Sequence, residues 1–223
     1  MMRRRVLVTR PEPGLTATMA AVRGLGWDAV ASPMLAVTPC APIPCGTFRA
    51  ILVTSANALP ALCAMPRDRL LVAVGDRTAA RAREAGFRNV EAAEGDAEAL
   101  AAFCHRNGLT GRDVLLASGQ GYGLDLVDAL DVSRAEAYAV TKIRHLTPEA
   151  RMALDAGAVD AVLFYSGKTA EAFMEAARDV PESCLSGIRA LCLSEAIAAR
   201  LEPEQWRAVR WPDPLERLGP CEA

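Results

Sequence analysis

At 223 residues, 52% hydrophobic and 23% charged, the chain has material for one large α/β domain or two lobes of about 100 residues each. A formal net charge of −2 gives no electrostatic case for nucleic acid or an anionic membrane, and no stretch reaches the roughly 18 apolar residues of a spanning helix. Seven scattered cysteines and two histidines argue against a zinc cluster and read as the reduced thiols of a soluble, cytoplasmic protein.

The Met-Met-Arg-Arg-Arg opening lacks the apolar core of a signal peptide, because Val6–Thr9 is followed at once by Arg10-Pro-Glu-Pro. Val6–Thr9 reads as a first buried strand, and Leu15–Leu25 as a helix ended by Gly24 and Gly26. Trp27–Val37 reads as one longer strand interrupted by Ser32-Pro33. The proline-rich run Thr38–Gly46 reads as a linker. Strands follow at Ala50–Thr54, Leu70–Val74, Asn89–Ala92, Asp113–Ala117 and Ala135–Thr141, with helices between them at 57–65, 77–85, 96–107 and 123–130. Short apolar strands alternating with helices predict a parallel, doubly wound sheet. A second linker falls near 139–147, then a helix at 148–156 and strands at Asp160–Tyr165, Arg189–Leu193 and Arg207–Trp211.

The chain uses one pattern twice. Ala50-Ile-Leu-Val-Thr-Ser-Ala-Asn-Ala58 returns as Ala161-Val-Leu-Phe-Tyr-Ser-Gly-Lys-Thr-Ala170, and Leu71-Val-Ala-Val-Gly-Asp-Arg-Thr78 returns as Ala190-Leu-Cys-Leu-Ser-Glu-Ala-Ile197. Residues 5–15 likewise resemble 113–124. The expectation is an α/β protein of two similar lobes, each a parallel five-stranded, flavodoxin-like sheet flanked by helices. Lobe one is 1–37 plus 146–223, and lobe two is 38–145. Lobe one looks like a circularly rearranged copy of lobe two, which requires two backbone crossings (near 38–47 and 139–147) and a cleft between the lobes.

Ligands of open parallel sheets bind beyond the carboxyl ends of the strands. The polar clusters fall there: Thr9-Arg10-Pro11, Thr54-Ser55-Ala56-Asn57, Gly75-Asp76-Arg77-Thr78, Ser118-Gly119-Gln120, Ser166-Gly167-Lys168-Thr169 and Ser194-Glu195. Helix starts with a small hydroxyl alongside are generic anion sites, and several together could hold a polycarboxylate without a basic protein. For any single one, capping a helix is the ordinary explanation. No GxGxxG, GxxxxGK[ST] or GxSxG pattern occurs, and Gly119-Gln-Gly-Tyr-Gly123 fits no nucleotide fingerprint. Cys63, Cys104 and Cys192 lie in apolar runs and read as core, as do Trp27, Trp206 and Trp211. Tyr138 lies on the strand entering the second linker.

These motifs, in this order over about residues 4 to 201, resemble the uroporphyrinogen-III synthase family. The resemblance rests on Val6–Pro11, Val53–Ala58, Ala73–Ala79, Glu94–Leu100, the Tyr138 strand and Phe164–Thr169. It implies two α/β lobes joined by a two-stranded connector, no cofactor and no metal. It also implies a small-molecule substrate, hydroxymethylbilane, which bears eight carboxylates. That substrate loses its ring-A hydroxyl as water, inverts ring D through a spiro intermediate and closes to uroporphyrinogen III. Carried over by motif, Tyr138 assists departure of the hydroxyl. Arg10, Ser55, Ala56, Asn57, Gly75, Thr78, Ser166, Gly167 and Lys168 line the substrate cleft.

The resemblance further implies a monomer without nucleic-acid or membrane partners and a transient handover from hydroxymethylbilane synthase. Ser194 and Ile197 depart from the pattern where glycine and threonine stand in Gly75 and Thr78. A short Pro-rich end after Trp211 predicts a minimal last helix. The competing class is a non-catalytic two-lobed sensor closing on a small anion or tetrapyrrole. A flavodoxin-like redox domain is the third, disfavoured by an aromatic content of 5%.

Overall fold

The computed structural model describes residues 4–93 and 95–221, with nothing assigned to the side chain of Glu182. Met1–Arg3 of the basic opening and Glu94 of the 94–100 motif lie outside the described residues. The strands are β1 (Arg5–Val8), β2 (Asp28–Ala31), β3 (Leu35–Pro39), β4 (Ala50–Val53), β5 (Leu70–Val74), β6 (Val90–Ala93), β7 (Val114–Gly119), β8 (Ser133–Lys142), β9 (Val159–Phe164), β10 (Arg189–Cys192) and β11 (Ala208–Arg210). The helices are α1 (Leu15–Gly24), α2 (Asp76–Glu84), α3 (Ala97–Arg106), α4 (Leu124–Leu130), α5 (Pro148–Asp155), α6 (Gly167–Ala176), α7 (Glu182–Leu185), α8 (Glu195–Ala198) and α9 (Pro214–Leu218).

Chain contacts divide the protein into two units, Met1–Ala36 with Thr141–Ala223, and Val37–Val140. The strands form two separate sheets. The first runs β2-β1-β9-β10-β11 and all its pairings are parallel. Numbered within its own unit that order is 2-1-3-4-5, the flavodoxin-like arrangement. The second sheet, leaving its edge strand β3 aside, runs β8-β7-β4-β5-β6, again parallel throughout. Laid over each other, β2 and β1 match β8 and β7, while β9, β10 and β11 match β4, β5 and β6. The two units therefore share one architecture, entered at different points of the chain.

The reason these segments are strands is burial on both faces. Val6, Leu7 and Val8, and likewise Ala50 through Val53, are fully buried, as parallel strands covered by helices on both sides must be. In the second unit one face of the sheet packs Leu62, Ala79, Ala82 and Phe87, and the other packs Leu100, Cys104, Leu126 and Leu130. In the first unit Val22, Trp27 and Leu218 cover Val6, Val8 and Leu163. Phe164, Phe173 and Trp206 form an aromatic cluster with centroids 5.4 to 6.0 Å apart.

Four expectations need correction. Trp27–Val37 is not one strand: Ser32 and Met34 still donate to the Val8 and Thr9 carbonyls at 3.0 and 2.9 Å, after which the chain leaves the first sheet and β3 joins the second. Cys40 N–H donates to Ala137 O, and Ile143 N–H to Met34 O, both at 2.9 Å. Numbers that rise along β3 as they fall along β8 mark an antiparallel pair, so the second sheet has six strands and is mixed. The helix expected at 57–65 is a 3-10 turn, Ala56–Leu62, with Pro60 inside it. Trp211, 40% exposed, and the exposed Cys63 are not core residues. The last helix is short, with α9 spanning five residues.

Candidate active site

Strand order reverses between β1 and β9 in the first sheet and between β7 and β4 in the second. A crevice opens at such a switch point beyond the carboxyl ends of the strands. In the first unit those ends deliver Thr9-Arg10 from β1 and Tyr165-Ser166-Gly167-Lys168 from β9. Thr9 is buried and its hydroxyl donates to Leu163 O at 2.6 Å, stitching the two strand ends together. The Arg10 guanidinium donates to Thr18 Oγ1 at 3.3 Å and lies 4.3 Å from the Tyr165 ring centroid, a cation–π distance. Burial raises the Tyr165 phenol above its usual 10.0, with Thr18 and Arg10 pulling against that rise.

Ser166 caps α6. Its Oγ accepts from Thr169 N at 3.2 Å and shares a 2.7 Å hydrogen bond with Thr169 Oγ1. Lys168 is exposed on the first turn. In the second unit Ser55 stands in the same relation to β4, its Oγ accepting from Asn57 N at 3.3 Å. The two serines have nearly the same backbone, φ −154 and ψ 145 against φ −155 and ψ 152. The repeated motif is thus a repeated conformation. Ser55, Ala56 and Asn57 lie together at the end of β4, half-buried.

Gly75 and Thr78 stand at the next strand end, where α2 starts. Gly75 takes φ 74 and ψ 158, a left-side backbone that favours glycine, and Thr78 is half-buried. The corresponding turn of the first unit is built differently. Ser194 has φ −149, makes no side-chain cap, and opens a helix of only four residues, while Ile197 is turned into the core at 8% exposure. The missing hydroxyl is replaced by packing.

Tyr138 is brought to the switch point of the second unit by a bulge. Across β7 and β8, Ser118 faces Glu136 but Gly119 faces Tyr138, so one residue of β8 is extra. Before it the odd-numbered Ala135 and Ala137 face the core; after it Tyr138 and Val140 do. Tyr138 is 7% exposed. Its ring lies over Gly119, where an added Cβ would come within 2.8 Å of the ring carbons. The Tyr138 carbonyl accepts from Gln120 N at 2.7 Å.

A family model described as Uroporphyrinogen-III synthase HemD (HEM4) matches residues 16–214. The chain belongs to the uroporphyrinogen-III synthase family. Its activity is that of a cyclising lyase, which converts hydroxymethylbilane to uroporphyrinogen III with loss of water and inversion of ring D. Similar solved structures are uroporphyrinogen III synthases from the extreme thermophile Thermus thermophilus. A triple mutant is 18% identical with TM-score 0.48, over 96% of this chain and 95% of that one. The wild-type protein is 22% identical with TM-score 0.39, over 97% and 94%. A third structure is 19% identical with TM-score 0.36, over 91% and 90%. No curated protein matches the chain.

Among the described residues no cluster of three or more His, Cys, Asp or Glu could hold a metal ion, and no helix is long and apolar enough to cross a membrane. The residues that sequence reasoning misses in this synthase are Tyr165, which stacks on Arg10, and Arg134, which grips the turn beneath Tyr138. Tyr165 carried a signal, since it replaces Thr54 in the repeated motif. Arg134 carried none, being one arginine of an arginine-rich chain and lying just before the strand expected at Ala135–Thr141.

Proposed function

We propose that the chain performs the family's cyclisation as a cytoplasmic monomer without a cofactor, receiving hydroxymethylbilane by transient handover from hydroxymethylbilane synthase. Arg10 and the strand-end loops holding Ser55, Ala56, Asn57, Gly75, Thr78, Ser166, Gly167 and Lys168 take the substrate's carboxylates. Backbone N–H groups at the helix starts are suited to anions because they point outward, with the helix dipole behind them. A phenol hydroxyl can donate to the departing ring-A hydroxyl, and that role falls to Tyr138. The hydroxyl leaves as water, and the electron-rich pyrrole carries the positive charge that remains. The substituted α carbon of ring D then attacks the ring-A methylene to give the spiro intermediate. The bond from that carbon to its original bridging methylene breaks and re-forms at the free α carbon of ring D. Loss of the proton from this second carbon restores the pyrrole and leaves the inverted macrocycle closed.

Most of the reactivity belongs to the substrate, so the protein's contribution is to fold the linear chain into the inverting geometry. Positioning of that kind can lower a barrier by about 7–11 kcal/mol. The single observation that supports this reading is the matching pair of capped helix starts, Ser55 and Ser166, at the switch points of two sheets with the same strand order. The test is direct. Purified protein given hydroxymethylbilane should yield the type III isomer, separated from type I by chromatography. A mixture containing only the uninverted type I isomer would leave a binding protein and no synthase.

A further inference from the structure

The loop Gly119-Gln-Gly-Tyr-Gly123 matches no nucleotide fingerprint, yet the structure builds a specific device around it. Arg134, on β8 four residues before Tyr138, reaches back under this loop with a side chain only 17% exposed. Its Nε donates to Ser118 Oγ at 3.1 Å and to Tyr122 O at 2.9 Å; its Nη2 donates to Gly119 O at 3.0 Å and to Glu136 Oε1 at 3.2 Å. Ser118 Oγ in turn donates to Tyr122 O at 2.9 Å, and Tyr122 N closes the turn on Gly119 O at 3.0 Å. The guanidinium is thus largely covered by the acceptors it meets, with 17% of the side chain exposed. Its planar fork meets several acceptors at once, which an ammonium cannot reproduce.

The loop that Arg134 fixes is the bed of Tyr138. Gly119 carries the ring, with no room for a Cβ, and Gln120 N–H holds the Tyr138 carbonyl at 2.7 Å. Both the backbone and the ring of the tyrosine are therefore set by the one turn that Arg134 locks. We propose that Arg134 is a positioning residue of the synthase, acting through the Gly119–Tyr122 turn to hold Tyr138 in the geometry that assists loss of the hydroxyl. This rests on the role given to Tyr138 above.

A kinetic double-mutant cycle tests it: kcat, KM and isomer ratio for wild type, Arg134→Lys, Tyr138→Phe and the double variant, with a melting curve for each. Misplacement of a reacting group by about 1 Å can cost on the order of 10²-fold. Arg134→Lys should therefore lower kcat by roughly 10-fold or more, with KM nearly unchanged, and it should cost nothing further once Tyr138 is phenylalanine. Equal losses in both backgrounds, or a kinetically silent Arg134→Lys, would overturn the proposal.

A silent Tyr138→Phe is a different result. It removes the tyrosine reading, and this inference with it, before the double variant is consulted. Should Arg134→Lys not fold, Ser118→Ala takes its place. It deletes the hydroxyl shared by Arg134 and Tyr122, and its smaller loss must likewise vanish in the Tyr138→Phe background. A loss that persists there would count against the proposal as Arg134→Lys would.

Discussion

A single added methyl group separates the placement of the Tyr138 ring from the presence of its hydroxyl. In Gly119→Ala the new Cβ would meet the tyrosine ring at 2.8 Å, closer than real Cβ contacts come, so the ring must move while its hydroxyl survives. If placement is what counts, Gly119→Ala should cost turnover nearly as much as Tyr138→Phe, which is expected to lower kcat by roughly 10²-fold or less. Steady-state rates on hydroxymethylbilane check both. Rates near wild type for Gly119→Ala beside a slow Tyr138→Phe would mean the hydroxyl tolerates displacement. Tyr138 was legible as a candidate through its motif, but its environment was not. Simple alternation along β8 puts residue 138 on the face of the exposed Glu136, and only the extra residue in the ladder moves it to the core face. An inserted residue leaves no mark in a pattern of hydrophobic and polar letters.

Helix starts were the most legible elements, because strand–serine–helix is a pattern of residue types with a mechanical cause. Ser166 is committed to the fold: its oxygen already serves Thr169 N and Thr169 Oγ1. Replacing it by alanine should therefore destabilise the protein by about 1 kcal/mol, the ordinary value of an N-cap, measured by denaturant unfolding. KM for hydroxymethylbilane should move by no more than about twofold, since the anion contacts proposed at this helix start are backbone amides rather than the hydroxyl. A tenfold rise in KM with unchanged stability would assign the hydroxyl to substrate. Two elements were misread for physical reasons. The run 27–37 is apolar on both sides of Ser32-Pro33, so composition could not show that its halves serve different sheets. Residues 56–62 carry small and apolar residues suited to a helix, and Pro60, by removing an amide donor, holds the segment to a 3-10 turn.

At the scale of the whole chain, the architecture was legible because it is repeated. Two copies of one strand order, started at different points, leave paired motifs that no single copy would, whereas β3, joined to β2 in the expected strand 27–37, has no counterpart among the described residues of the other unit to mark it off. Each unit also buries one thiol, at positions the repeat does not relate: Cys104 on α3 and Cys192 at the end of β10. Burial pushes each from 9.0 up to about 11, because a thiolate there would lose its hydration. The folded protein thus holds these protons more tightly than the unfolded chain. Their contribution is complete below about pH 9 and is lost as pH rises towards 11. The size is roughly 2–3 kcal/mol per thiol. Denaturant unfolding between pH 8 and 11 should show stability falling across that window, and a Cys104→Ala, Cys192→Ala variant should show a shallower fall even though its cavities lower stability at every pH. The same burial predicts that a thiol reagent at pH 8 modifies the exposed Cys45 and Cys63 in the folded protein and reaches Cys104 and Cys192 only after denaturation. Parallel pH slopes in the variant and the wild type would place the alkaline loss on other groups, and rapid native labelling of Cys104 or Cys192 would mean that the core around it opens far more readily than its packing implies.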